Sequence, residues 1–493
     1  MKALISVYKK EKIIEFARRL SKMDWDIVST GGTYKYLEKA GINVTKVSDI
    51  TGTQEMLGGR VKTLHTKIFA GILAREDQQS EIENLDIPGF EIVCCNLYPF
   101  KKAVKKYNNE EEILENIDIG GVTLLRAGAK NYKRVTVVTE PDDYDLIIKD
   151  LKSGSVSLKR KRGLALKAFQ KTADYDIAIS NYFKGAEIKD QLYIRERKSM
   201  DLRYGENPHQ KGALYGDIPY KKLQGEKELS FNNIQDMDAA VNVVRDLKIP
   251  GTAIIKHMVP CGAASGADVH EAYCKALESD PMSAFGGIVS FNTKVDKKTA
   301  LEMVKHFFEV IAAPEFEPEA LKVLSSKKNL RVVKYSKNGN DFDIRKINGG
   351  FLVQEQDSFE GEKWEAVTEK KPSDEQLSEL EFAWRIAGNL RSNAIVISKD
   401  MQTKGLGSGE TARVKAVEVA GSKIKQFFGE NQDDLVMASD GFFPFPDAVE
   451  RAAELNVSAI IQPGGSKNDS KVIDKCNELG IAMVFAGRRH FLH

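Results

Sequence analysis

Ala253, Ile254 and Ile255 read as a buried strand that ends abruptly in two titratable residues, Lys256 and His257. Open α/β sheets place their chemistry beyond the ends of such strands. An imidazole beside an ammonium is favoured in its neutral form, which can take a proton, and an ammonium can stabilise a growing oxyanion. A strand end with two solvated polar residues would show the same letters. Pro260-Cys261-Gly262 is expected to turn the chain just afterwards. A second cluster lies near the N-terminus. Ser29-Thr30-Gly31-Gly32-Thr33 follows a strand-like run and precedes a helix-like one. Strand, glycine turn and helix together aim backbone N–H groups at an anion, although a plain Thr-capped turn also fits. Residues 59–65 (GRVKTLH) pack two cations, a hydroxyl and an imidazole after a Gly-Gly turn. Asn96 and Tyr98 stand at the end of a strand over residues 91–95, which Pro99 stops. Asp118-Ile119-Gly120-Gly121 opens a helix that carries Arg126 and Lys130 on its later turns.

Positioning these groups takes several domains. A chain of 493 residues is expected to form about three units of ~150 residues. Its 42% hydrophobic and 29% charged content suits a globular protein with a sizeable core. With 73 basic and 71 acidic residues, bulk charge gives no reason to expect nucleic acid or an anionic membrane as a partner. The KRKR run at 159–162 is read as a solvated helix face. No apolar run approaches the ~20 residues of a membrane span. Five cysteines without a CxxC pair support neither a disulfide framework nor a zinc ribbon, and favour a reducing compartment. With no signal-like start, the chain is expected to be cytoplasmic.

Strand, turn and helix signals alternate over residues 1–190, with each polar cluster at an element end. This predicts a doubly wound parallel-sheet domain with a phosphate-suited pocket. A helix over 164–182 closes it, and the polar stretch 184–190 is read as a linker. The remainder is expected to form two related α/β lobes, 191–370 and 371–493. Thr252-Ala253-Ile254-Ile255-Lys256 is similar to Asn393-Ala394-Ile395-Val396-Ile397, and Ser279-Asp280 to Ser439-Asp440.

Taken in order, STGGT (29–33), RVKTLH (60–65), CNLYPF (95–100), DIGG (118–121), LLRAGAKN (124–131), LRYGENPHQ (202–210), ELSFNNIQDMDAA (228–240), KHxxPCG (256–262), SDPMSAFGGIVSFN (279–292), SNAIV (392–396), SDGFFPFPD (439–447), IIQPGG (460–465) and the final RHFLH span essentially the whole chain. The set resembles the bifunctional purine-synthesis family that joins AICAR formyltransferase to IMP cyclohydrolase. The resemblance implies an α/β fold: a methylglyoxal-synthase-like parallel-sheet domain, then a transformylase of two cytidine-deaminase-like lobes. It implies a homodimer with transformylase sites at the interface. The cosubstrate would be 10-formyltetrahydrofolate. No catalytic metal is implied, and there is room for a structural potassium ion.

It also implies residue roles. In formyl transfer His257 matches the base and Lys256 the oxyanion stabiliser. Arg203, Tyr204 and Arg489 match nucleotide-holding groups. Gly286, Glu309, Asn393, Arg413, Phe442 and Asp447 match further substrate or folate positions. In ring closure Thr30, Gly31, Gly32 and Thr33 match the phosphate loop. Lys10, Arg60 and Thr63 match substrate contacts, and Lys62 a group beside the forming ring. Asn96, Tyr98, Asp118 and Gly120 match base and carboxamide contacts, with Tyr98 and Asp118 counted as catalytic. Lys130 matches the proton donor or acceptor.

Three departures stand out. Tyr8-Lys9 replaces a Ser-Asp pair before Lys10. Val259 stands where Asn or Ser is usual. Glu410-Thr411-Ala412 replaces Gln-x-Ser before Arg413. The last two leave room for a different formyl donor, a modified tetrahydropterin. A zinc deaminase is disfavoured, because Pro260-Cys261 is followed by Gly-Ala-Ala and not a second cysteine. A nucleotide sensor without turnover is the alternative from a different class.

Overall fold

The computed structural model describes residues 1–184, 188, 191–248, 250–336 and 342–493. The chain divides into two compact units, Met1–Arg195 and Glu196–His493. Most of the stretch read as a linker, 184–190, lies outside the described residues.

In the first unit, five strands form one parallel sheet: β1 (Lys2–Val7), β2 (Asp26–Ser29), β3 (Val44–Lys46), β4 (Ile92–Asn96) and β5 (Thr136–Val138). Their order is β3-β2-β1-β4-β5. Strands β1, β2 and β4 are buried on both faces, as a sheet covered by helices on each side requires. One face packs Ile13, Phe16 and Leu20 with Ile147, Ile148 and Ala165; the other packs Ile68 and Ile72 against Leu4 and Val93. The strand order reverses at β1, so the carboxyl ends of β1, β2 and β4 open a crevice at the switch point. The closing helix runs from Leu158 to Lys184, so the KRKR run lies in its first turns.

The second unit is built on a twelve-stranded sheet. Its strands are β6 (Tyr220–Gln224), β7 (Gly251–Lys256), β8 (Val259–Ser265), β9 (Ile288–Phe291), β10 (Val310–Ala313), β11 (Arg331–Tyr335), β12 (Glu365–Ala366), β13 (Ile395–Lys399), β14 (Gln402–Gly407), β15 (Leu435–Ser439), β16 (Val457–Gln462) and β17 (Ala482–Phe485). The order is β12-β17-β16-β15-β13-β14-β8-β7-β9-β10-β11-β6. Within it two five-stranded sets, β8-β7-β9-β10-β11 and β14-β13-β15-β16-β17, repeat one topology. They meet at β8 and β14, which run antiparallel. At that seam Thr403 Oγ1 accepts from the Ala263 amide at 3.0 Å and donates to the Ala263 carbonyl at 3.1 Å.

The repeat is real, but its register differs from the one read in sequence. Gly251 N donates to Asn292 Oδ1 at 2.9 Å, and Ala394 N donates to Asp440 Oδ1 at 3.0 Å. Gly251 therefore matches Ala394, a spacing of 143 residues, two more than the expected pairing of Thr252 with Asn393. Asp440 matches Asn292, not Asp280. Residues 260–262 do not turn the chain either. They lie in β8 across a bulge, and the turn is made by His257 and Met258, with φ of 55° and 63°. Two consecutive positive φ values are what a two-residue hairpin needs to match strand twist.

Helices Phe231–Arg245 and Asp374–Ala387 share one core over one face, through Met237, Ala240, Leu380 and Trp384. The other helices cover the opposite face, one core per lobe. Among the described residues no helix is long and apolar enough to cross a membrane.

Candidate active sites

The crevice of the first unit is a cavity of about 670 Å³. Its lining includes Lys10, Thr30 to Thr33, Arg60, Lys62, Thr63, Asn96, Tyr98, Asp118 and Gly120. The clusters expected to converge do so, because each follows a strand or begins a helix at this edge. Gly31, at φ 54°, starts the helix Gly31–Lys39, whose N-terminus faces the cavity. Lys62 lies across two glycines. A Cβ on Gly59 would stand 2.5 Å from Lys62 Cε, and one on Gly31 3.0 Å from Lys62 Nζ. Only glycine leaves that ammonium its place.

Electrostatics divide the cavity. Burial lowers the Lys10 ammonium, and Lys62 adds to the effect. Burial raises the Asp118 carboxyl from its ordinary value, opposed by amide hydrogen bonds from Gly121 and Tyr98. Burial, then the charge of Asp118, raises the Tyr98 phenol. An ammonium shifted down and a carboxyl shifted up in one cavity mark it as a candidate functional site.

Some expected contacts are already engaged. Thr33 Oγ1 accepts from Val7 N at 3.1 Å and Lys10 Nζ at 2.9 Å, and donates to Val7 O at 2.9 Å. Asn96 Oδ1 accepts from Tyr8 N at 2.7 Å and Lys9 N at 2.9 Å. Both side chains hold the loop after β1. Arg60 pairs with Glu115. Lys130 stands in the last turn of the helix Gly120–Lys130 and does not line the cavity. Ten residues of helix put it about 15 Å from Gly120 along the axis. Glu55, not singled out in sequence, accepts from Thr30 Oγ1 at 2.9 Å and lies 3.7 Å from Lys62 Nζ. Its loop carries no periodic signal.

In the second unit, strand register gathers most of the remaining residues at one sheet edge. β7 ends there in Lys256, whose Nζ donates to Phe285 O at 2.9 Å. Ile288 pairs with Ile255 and Val310 with Ile288, which brings Gly286 and Glu309 to the same edge. β15 ends there as well, since Ile395 pairs with Ser439. His257 is exposed. Asn393, Arg413, Phe442 and Asp447 line a cavity of about 480 Å³ with Thr411, Ala412, Phe445 and Phe491.

Arg413 is buried, and its guanidinium reaches Asp440 Oδ1 at 2.5 Å, Ser439 Oγ at 2.8 Å and Asn393 Oδ1 at 2.7 Å. It frames the cavity wall from behind. Glu309 is likewise held by Asn233 at 2.7 Å and Arg331 at 2.9 Å. Arg203 donates to the Tyr204 hydroxyl at 2.6 Å next to a separate hairpin, Lys198–Leu202 with Gly212–Tyr215, and lines neither cavity. Arg489 stacks on Phe491, its guanidinium 4.6 Å from the ring centroid. Buried His490 was also missed in sequence. Its Nδ1 lies 2.6 Å from Asp357 and its Nε2 2.6 Å from Glu362. Neither Asp357 nor Glu362 sits in a motif, so only the fold could pair them with the C-terminus. Among the described residues no group of three or more His, Cys, Asp or Glu is placed to hold a metal.

Comparison with known proteins identifies the family. The family model described as the AICARFT/IMPCHase bienzyme matches residues 128–423, and that of the MGS-like domain matches residues 12–123. The Bifunctional purine biosynthesis protein PurH of Aquifex aeolicus is 47% identical over all of both chains. Proteins of the same name from Thermoanaerobacter sp. and Caldicellulosiruptor saccharolyticus are each 46% identical, over all of this chain and 99% of theirs. With an MGS-like parallel-sheet unit and matches from end to end, the chain belongs to the AICARFT/IMPCHase bienzyme family.

Proposed function

We propose that this chain catalyses the last two steps of de novo purine synthesis, formyl transfer to AICAR and closure of the product to IMP. The observation that carries the proposal is the presence of two polar centres in two units. One is a cavity at the switch point of a parallel sheet, and the other is Lys256-His257 on a hairpin turn.

In formyl transfer the 5-amino group of AICAR attacks the formyl carbon of 10-formyltetrahydrofolate. That amine is weakly nucleophilic because its lone pair is delocalised, so it must be held close and deprotonated as the bond forms. His257 takes the proton and Lys256 stabilises the oxyanion. The C–N bond to tetrahydrofolate then breaks, and its nitrogen leaves with a proton. Arg203, Tyr204 and Arg489 hold the nucleotide. Gly286, Asn393, Phe442 and Asp447 line the substrate and folate side, framed by Glu309 and Arg413. The aromatic surface of Phe442 and Phe445 suits a flat ring.

In ring closure the carboxamide nitrogen attacks the formyl carbon and water departs. The helix N-terminus at Thr30 to Thr33, with Lys10 and Arg60, suits the phosphate. Lys62, Asp118 and Tyr98 supply proton transfer and charge stabilisation, beside Thr63, Asn96 and Gly120. Lys130, which the family resemblance makes the proton donor or acceptor, stands in the last turn of the helix that Gly120 opens.

We take residues 1–190 as the cyclohydrolase domain, with transformylase lobes over 191–370 and 371–493. We also propose a cytoplasmic homodimer with transformylase sites at its interface. Five free cysteines fit a reducing compartment. The hairpin Phe342–Ile347 with Gly350–Glu355 exposes Ile344, Ile347, Phe351 and Leu352, an apolar surface suited to a second copy. A structural potassium ion would draw on Asp440, whose Oδ2 is buried without a hydrogen-bond partner.

The test mixes protein, AICAR and 10-formyltetrahydrofolate and follows IMP and tetrahydrofolate together. Both should appear in equal amounts. His257→Ala should abolish tetrahydrofolate release while formyl-AICAR, supplied directly, still closes to IMP. Loss of both activities in a folded variant would refute the two-centre assignment. Closure without formyl transfer in the unmodified protein would favour a modified tetrahydropterin donor, which the Thr411 and Ala412 lining makes the second reading.

A further inference from the structure

The His257 turn is held from outside by one side chain. Asp236, on the helix Phe231–Arg245, accepts from Met258 N at 2.7 Å with one carboxylate oxygen and from His257 N at 3.2 Å with the other. His257 has φ 55° and Met258 φ 63°, a left-handed conformation that bulky residues avoid. A charged acceptor spanning two consecutive amides compensates for that conformation, since both N–H groups point to one side of the turn.

The second lobe contains an internal control. Its equivalent turn is Asp400-Met401, with φ of 56° and 55°. Its equivalent carboxylate is Glu379, 143 residues after Asp236, and it accepts from Met401 N at 2.8 Å. The two turns differ in what closes them. Lys275 Nζ donates to Asp400 O at 3.0 Å, and Gln402 Nε2 to Lys275 O at 2.7 Å, so the second turn is tied down by a neighbouring helix. The first carries a histidine, and both His257 and Met258 are exposed. The same device therefore fixes a turn that is tied to a neighbouring helix in one lobe and a turn that bears a base in the other.

We propose that Asp236 is the positioning residue for His257, setting the direction in which the imidazole leaves the turn. This rests on His257 being the base for formyl transfer. Asp236 itself touches neither substrate nor the reacting atoms; it acts through the two amides. The Glu379 bond shows that a glutamate can hold such a turn, so Asp236→Glu should retain function where Asp236→Ala does not.

The experiment measures both half-reactions in the full-length protein for Asp236→Ala, Asp236→Glu, Glu379→Ala and His257→Ala. Asp236→Ala should lower kcat for formyl transfer at least tenfold, with KM for AICAR within about twofold and ring closure of formyl-AICAR unchanged. Asp236→Glu should recover to within about threefold of the unmodified enzyme. Glu379→Ala should lower thermal stability without that selective loss of kcat. A folded Asp236→Ala protein with formyl transfer intact, while His257→Ala has none, would overturn the positioning role and leave the base assignment standing. Formyl transfer surviving in His257→Ala would overturn the base assignment itself. Should Asp236→Ala fail to fold, the Asp236→Glu and Asp236→Asn pair decides. Asn keeps one acceptor oxygen and loses the charge, so equal kcat in the two would also overturn the proposal.

Discussion

His490 Nε2 lies 2.6 Å from Glu362 Oε1, while Trp384 donates its indole N–H to the other oxygen of that carboxylate at 3.0 Å. Asp357 closes on the opposite ring nitrogen. Burial alone would lower the His490 pKa, but hydrogen bonds to Asp357 and Glu362 and the charges of those two groups outweigh it, and the imidazole is pushed up to about 9. The buried imidazole is held between two carboxylates, and it fixes the C-terminal segment whose Phe491 lines the second cavity.

A raised histidine pKa stabilises the fold while the imidazole is protonated. The contribution is complete below the unfolded value of 6.5 and is lost as pH rises through about 9. The second unit should therefore weaken by on the order of 3 kcal/mol across that window. His490→Gln should flatten the slope. Denaturant melts at pH 6 and pH 10 check this, and equal slopes in the two proteins would contradict it.

Lys62→Met should cost ring closure about 10²- to 10³-fold and leave formyl transfer unchanged. Gly59→Ala should act in the same direction without touching a charge. Its Cβ would meet Lys62 Cε at 2.5 Å, and its backbone sits at φ 92°. Steady-state assay with formyl-AICAR as the substrate decides; normal closure by both variants would exclude Lys62 from that step.

Arg413→Leu leaves Asp440 buried without its cation. Breaking one side of such a pair costs about 3–5 kcal/mol. The loss should appear in the transition of the second unit and spare the first. Arg413→Lys should recover only part of it, because an ammonium cannot reach Asp440, Ser439 and Asn393 at once as the guanidinium does. Calorimetry of the full chain resolves this.

Asn96→Ala removes the acceptor for the Tyr8 and Lys9 amides. Stability should fall by about 1 kcal/mol, and ring closure by roughly tenfold to a hundredfold as Lys10 loses its place. Asn96→Asp keeps the acceptor oxygens and should retain more of both. An alanine variant with full ring closure would show that the loop holds itself.

Local signals were enough for much of this architecture. Strand runs ending in Gly31, Asn96 and Lys256 marked the sheet edges, and glycine turns marked the helix starts, because both depend on neighbours in sequence. Partners distant in sequence were not legible. Glu55, Asp357 and Glu362 reach their sites across the fold, and nothing in their own segments distinguishes them from solvated acids; Asp236 lies in the motif 228–240, but its partner turn at His257 is not written there. Composition could not show that Thr33, Asn96 and Arg413 spend their hydrogen bonds on the framework. The repeat was visible but out of register by two, because the letters shared by residues 252–256 and 393–397 are apolar strand residues that align equally well at neighbouring offsets. The paired bonds of Asn292 and Asp440, like the equivalent turns at His257 and Asp400, fix the register.

The seam between β8 and β14 has a consequence for the two lobes as separate objects. Each contributes an edge strand that is covered only because its sibling lies alongside. Expressed alone, either lobe would present that edge as a row of unpaired amides and carbonyls, a template for pairing with any other copy. Joining both lobes in one polypeptide turns a surface prone to aggregation into the middle of a sheet.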